Sequence, residues 1–188
     1  MSPQFDTKDK LAYRRSFTPY RPQDAVVSLW PGKAVNLGTV ARTCDAVGIK
    51  LYVLNSPEGK YSVKIGNVLG DKFGKIVKFI DHKINRIQYL RDKKEEGFQL
   101  VALELAEGAI DYRDFEYGIT MPTLYFIGNE RDGVPDEALD LMDEILVIPQ
   151  CGRNGALNVA TAIDIVLYTH NAPLPFKNES EIYGSKLV

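Results

Sequence analysis

The sequence predicts an α/β fold in which a mostly parallel sheet carries helices on both faces. Three observations predict it. Short apolar runs alternate with helical patterns along the chain. The runs are nearly continuous in apolar residues, as strands covered on both faces are. The last two, TLYFIG (123–128) and EILVIP (144–149), stop in Gly- or Pro-bearing loops, and open α/β sheets place their ligands at strand ends of this kind. The same spacing also describes two ordinary β-to-α turns. The first loop also holds a carboxylate, Glu130.

The 188 residues suit one domain with a proper core. Charged residues make up 26% and hydrophobic residues 45%, the balance of a soluble globular protein. Cys44 and Cys151 form neither a disulfide framework nor a metal spacing. His82 and His170 are too isolated for a zinc site and read as surface or helix-end residues, so no metal is expected. The first residues lack an apolar signal core and no run spans a bilayer, so a cytoplasmic, membrane-free protein is expected. Charge is unevenly spread. Residues 1–94 hold 18 Lys/Arg against 8 Asp/Glu, and residues 95–188 hold 5 against 17. A basic half suits a polyanionic partner, or an acidic half across a subunit contact.

Residues 1–24 form a basic, aromatic arm, AYRRSFTPYRP being its clearest stretch. Interleaved rings and cations suit RNA contact, a solvated tail or packing on a partner subunit, and Pro19 and Pro22 oppose a regular element. AVVSLW (25–30) is the first strand, ended by Pro31-Gly32. A helix follows from Asn36, with Leu37, Val40, Ala41, Cys44 and Val47 as its apolar stripe and Gly48 as its stop. Arg42 lies opposite that stripe and so outside the core. IKLYVL (49–54) is the second strand. GDKFGK, in the Gly- and Lys-rich stretch 55–74, lacks the spacing of a phosphate loop, and no GxGxxG follows any strand.

The third strand is 76–80. Residues 83–96 are an amphipathic helix, with Ile84, Ile87 and Leu90 inward and a cationic outer face. QLVALEL (99–105) is the fourth strand and an acidic loop runs to 121. TLYFIG and EILVIP are the fifth and sixth strands, with a helix start at Pro135 between them. The last helix, 156–170, is apolar on nearly all sides and needs burial in the fold or between subunits. Asn158, a polar group in its first turn, needs a partner. The domain therefore spans 25–170, with a loose tail at 171–188.

Three of these stretches together resemble the SpoU (TrmH-type) branch of the SPOUT RNA methyltransferases. Asn36-Leu37-Gly38 with Arg42 and Gly48 is similar to its first motif. Phe126-Ile127-Gly128-Asn129-Glu130 with Gly133 is similar to its second. Ile148-Pro149, Gly152 and Leu157-Asn158-Val159 are similar to its third. The order and spacing match over about 24–170. The resemblance implies an S-adenosylmethionine-dependent enzyme that methylates a ribose 2′-hydroxyl of tRNA or rRNA. It implies a C-terminal trefoil knot, a homodimer, and an active site drawn from both subunits. Asn36, Arg42, Glu130 and Asn158 are then the catalytic set. Leu103, Gly128, Ile148, Ala156 and Leu157 are then the cofactor-binding set, with Gly128 letting backbone approach the cofactor closely. The matching arginine is the family's proposed general base. A guanidinium is effectively always protonated, so holding a phosphate and stabilising a developing alkoxide is the simpler role. Two departures stand out: alanines at 156 and 160 replace serines usual in the family, and only the arm precedes the first strand. The alternative reading is an RNA-binding relative with little or no turnover.

Overall fold

The computed structural model describes residues 17–19, 21–59, 61, 65, 73–116, 121–153, 155–172 and 174–175. Arm residues 1–16, most of the Gly- and Lys-rich stretch and the tail beyond 175 lie outside the described residues, as does the rejected phosphate loop's first half. The elements in chain order are β1 (Phe17–Thr18), β2 (Ala25–Ser28), α1 (Ala34–Val47), β3 (Lys50–Leu54), α2 (Phe73–Ile76), β4 (Val77–Ile80) and α3 (Arg86–Glu95). They continue with β5 (Gln99–Leu103), β6 (Ile110–Asp111), β7 (Thr123–Ile127), α4 (Asp136–Leu139), β8 (Glu144–Val147), α5 (Val159–His170) and β9 (Leu174–Pro175). Seven strands make one sheet in the order β4-β3-β2-β7-β5-β8-β6, and every adjacent pair is parallel. The predicted α/β class is the observed one.

Both faces of this sheet are covered, which explains the unbroken apolar runs. Val26 on β2 and Tyr125 and Ile127 on β7 pack under α1 and α5, through Leu37, Val40, Ile163 and Leu167. Ala25, Val27, Leu124 and Phe126 point the other way, towards Leu90 of α3 and Ala138 of α4. All five residues of the α1 stripe are buried and Arg42 is exposed. The helix stops at Gly48, whose φ of 81° is left-handed, a region open to glycine. A side chain there would also overlap Pro19.

Three segments depart from expectation. The acidic loop contributes β6, which extends the sheet beyond β8. The arm and the tail are partly regular, because β1 and β9 pair antiparallel. Asn171, assigned to the tail, is buried: its side-chain amide donates to Asp24 at 2.8 Å and its oxygen accepts from the Tyr125 hydroxyl. Asp24 also accepts from Arg21 Nε and from the Thr123 N–H, both at 2.8 Å. Burial still outweighs these donors and raises its pKa above the usual carboxylate value.

His170, expected at a surface or helix end, ends α5 but is buried. Its Nε2–H donates to the Tyr112 carbonyl at 2.9 Å, and its ring meets Tyr112, Phe115 and Tyr125. Burial, and then the Arg21 charge, push its pKa down to about 3, so the imidazole is neutral near pH 7. No helix among the described residues is long and apolar enough to cross a membrane.

Candidate active site

A cavity of about 620 Å³ opens at the C-terminal ends of β5, β7 and β8 and against the segment leading into α5. This is where the sequence places a ligand, beside the crevice at which strand order reverses. Leu103, Gly128, Ile148, Ala156 and Leu157 all line it, as do Glu130 and Asn158. The residues expected to bind a cofactor are thus brought together from three strand ends and the approach to α5. Four of those positions lie on irregular backbone just past a strand or before a helix, where peptide groups are not consumed by the sheet.

The β7 exit is a tight loop held from inside. Asn129 Oδ1 accepts from the N–H groups of Arg131 and Asp132, at 2.9 and 2.8 Å. The Gly133 N–H returns to the Asn129 carbonyl at 3.1 Å. A Cβ on Gly128 would overlap the backbone of Gly133 and Val134. The protein's own loop therefore requires glycine at 128, which also lines the cavity. Gly133, at φ 65°, lies against Glu104. Glu104 Oε2 accepts from the Val134 N–H at 2.9 Å, and Oε1 from the Leu105 N–H at 3.0 Å. Sequence reasoning missed Glu104. A carboxylate inside the apolar run QLVALEL was the available signal.

At the rim, Asn36, Glu130 and Asn158 form one hydrogen-bonded chain. Asn158 Nδ2 donates to Asn36 Oδ1 at 3.2 Å. Asn36 Nδ2 in turn donates to Glu130 Oε1. Glu130 also accepts from the Lys33 N–H, at 3.1 and 3.2 Å to its two oxygens. Lys33 precedes α1 and supplies no side-chain cap, so Glu130 caps this helix from a loop 97 residues away. Partial burial works to raise the Glu130 pKa. The N–H groups of Glu130 itself and Lys33, the Asn36 amide and the Lys33 charge outweigh it, and the carboxyl sits below its usual value. A side chain at Gly32 would overlap this carboxylate.

Asn158 is the N-cap of α5 rather than a first-turn residue, its Oδ1 accepting from the Ala160 N–H at 2.9 Å. Ala156 and Leu157 consequently precede the helix. Arg42 is not brought to this cavity: it is exposed, six residues beyond Asn36 on α1, about 9 Å along the axis.

Residues 25–168 match the SpoU rRNA Methylase family. The chain belongs to the SpoU family. Among relatives, a tRNA (guanosine(18)-2′-O)-methyltransferase of Aquifex aeolicus is 38% identical over 133 residues, 71% of this chain and 61% of that protein. One of the same name from Thermus thermophilus is 36% identical over 136 residues, 72% and 68% of the two chains. Among solved structures, the A. aeolicus TrmH/SpoU tRNA modifying enzyme superposes with a TM-score of 0.66 at 30% identity, over 86% of this chain and 79% of that one. An AdoMet-bound rRNA methyltransferase from Sinorhizobium meliloti gives 0.67 at 28%, over 83% and 58%. This SpoU chain spans about three fifths of the length of the first curated relatives it matches.

Proposed function

We propose that this SpoU chain is an S-adenosylmethionine-dependent methyltransferase acting on a ribose 2′-hydroxyl of tRNA or rRNA, and that it works as a homodimer with the trefoil threading its family resemblance implies. The observation that carries the reading is the convergence of three strand ends and the α5 approach on one cavity, with the Asn158–Asn36–Glu130 chain at its rim. The cavity suits the cofactor, because apolar side chains such as Leu103, Leu146 and Ile148 line it together with polar ones such as Asn129, Glu130 and Asn158. Bound there, S-adenosylmethionine supplies a sulfonium methyl group for direct displacement by the hydroxyl oxygen.

The chain's own residues do the rest. Backbone at Leu103, Ile148, Ala156 and Leu157 grips the cofactor, and the Gly128–Gly133 loop shapes the wall. Asn158 and Asn36 present amides to the incoming ribose, and Glu130 fixes Asn36 and the start of α1. Arg42 holds an RNA phosphate and stabilises the developing alkoxide, a role that suits a permanently charged guanidinium. Because Arg42 lies off the cavity of its own chain, it serves the cavity of the partner subunit. The surface for that partner includes Leu157 just before α5 and Tyr168 on it, 37% and 51% exposed, and Val35 on α1, 65% exposed.

The test is calorimetry with S-adenosylmethionine, then single-turnover methylation of bulk tRNA and rRNA. Arg42→Ala should leave cofactor affinity nearly intact and lower the methylation rate by about 10² or more. Arg42→Lys should rescue little. An Arg42→Ala chain mixed with a Gly128→Val chain should regain one working site per mixed dimer. A light-scattering mass at the 21.1 kDa of one chain, at micromolar concentration, overturns the dimer. Ala156 in the cavity wall favours the second reading, an RNA-binding relative without turnover. RNA binding with no methyl transfer, restored by Ala156→Ser, selects that reading.

A further inference from the structure

At the opposite end of the strands lies a second cleft, of about 380 Å³. Ala25, Lys50 and Leu124, at or next to the first residues of β2, β3 and β7, form its floor, and Tyr89 and Lys93 of α3 form one side. Tyr52 and Phe98 add two more aromatic rings. Tyr52, Tyr89 and Phe98 are all half-buried, and Lys50 is exposed. The Lys93 ammonium sits 5.4 Å from the Tyr89 ring centre and 5.7 Å from that of Phe98, steered by Glu96 at 2.6 Å. Tyr89 is raised to about 12 by burial first, then by Tyr52 and Glu96, so its phenol stays a hydrogen-bond donor at neutral pH. Asp24, the one carboxylate among the lining residues, is paired with Arg21 at 2.8 Å.

Rings to stack on, with cations at the edge, are the recognition chemistry of single-stranded nucleic acid. We infer that this cleft is a nucleotide subsite for single-stranded RNA, one base lying against Tyr89 and Tyr52 and its phosphate at Lys50. The inference rests on the RNA reading above. It assigns the RNA a second contact at the far end of the sheet, beyond the strand ends that bear the cavity. A substrate held at both ends is positioned in register, so the cleft governs which RNA is accepted rather than the methyl-transfer step.

The test measures binding of a short oligouridylate and of bulk tRNA to the full chain over a salt series. Tyr89→Leu should weaken oligouridylate binding about tenfold. Lys50→Gln, at an exposed position that leaves folding intact, should lower the slope of log K against log salt by about 0.7, one phosphate on a single strand. With bulk tRNA both should raise KM while leaving kcat and cofactor affinity unchanged. Variants that bind RNA like the wild type, while the wild type binds and methylates, overturn the cleft and leave the proposed function standing. Unchanged RNA affinity with an altered sedimentation mass assigns the cleft to a protein contact and overturns the inference equally. A wild type that binds no RNA defeats both readings.

Discussion

Glu130 shows what single residues reveal and conceal. Its place in a Gly-bearing loop after an apolar run was legible, because strand ends that stop in such loops are where open α/β sheets place their ligands. Its partners were not, since the Lys33 N–H has no signature in a sequence. Glu130→Gln keeps the shape but points an amide at N–H donors. It should cost about 1 kcal/mol at pH 7, measured as a lower urea midpoint. The Glu130 pKa is lower folded than unfolded, so its stabilisation is present above the unfolded value and fades as pH falls through the folded one. The gap between variant and wild type should therefore close in acid. Gly128→Val should abolish cofactor binding by displacing the Gly133–Val134 backbone. Its calorimetric silence should come with an increased susceptibility of that loop to proteolysis.

At the scale of elements, periodicity was the reliable guide. The α1 stripe and its stop could be read from Leu37 to Gly48 because a 3.6-residue period and a left-handed cap leave marks in sequence. Gly48→Ala should lower stability by 1 kcal/mol or more, as a left-handed position closed by Pro19 admits no side chain cheaply; thermal unfolding checks this. The start of α5 was set three residues early. Ala156 to Val159 continue the apolar pattern, and the side chain of Asn158 decides where the helix begins. Asn158→Ala should remove that cap, costing about 1 kcal/mol, with amide exchange at Ala160 rising first. The two-residue strands β1, β6 and β9 are too short to have a period. Their pairing is set by tertiary contact and could not be read in advance.

For the whole molecule, the alternation of runs and helices was enough to state the class, but not that β7 lies between β2 and β5. Nor did it predict that the last helix would be anchored by a neutral histidine. His170 has a folded pKa near 3, below an ordinary value of 6.5. The unfolded chain therefore binds the extra proton between those values. Stability should be complete above about pH 6.5 and fall as pH drops towards 3, by up to about 1.4 kcal/mol per unit. Urea titrations across that range check the slope, and His170→Leu should flatten it. The strand order also sets a timetable for synthesis. β2, β3 and β4 can be complete once residue 80 is made, yet the free edge of β2 is filled by β7, with Val26 set beside Tyr125. A ribosome needs roughly 2 to 9 seconds to add the 47 residues from Ile80 to the end of β7 at Ile127. For that time the strand destined for the middle of the sheet stands as an open apolar edge, which a chaperone or a second nascent chain meets before its own partner does.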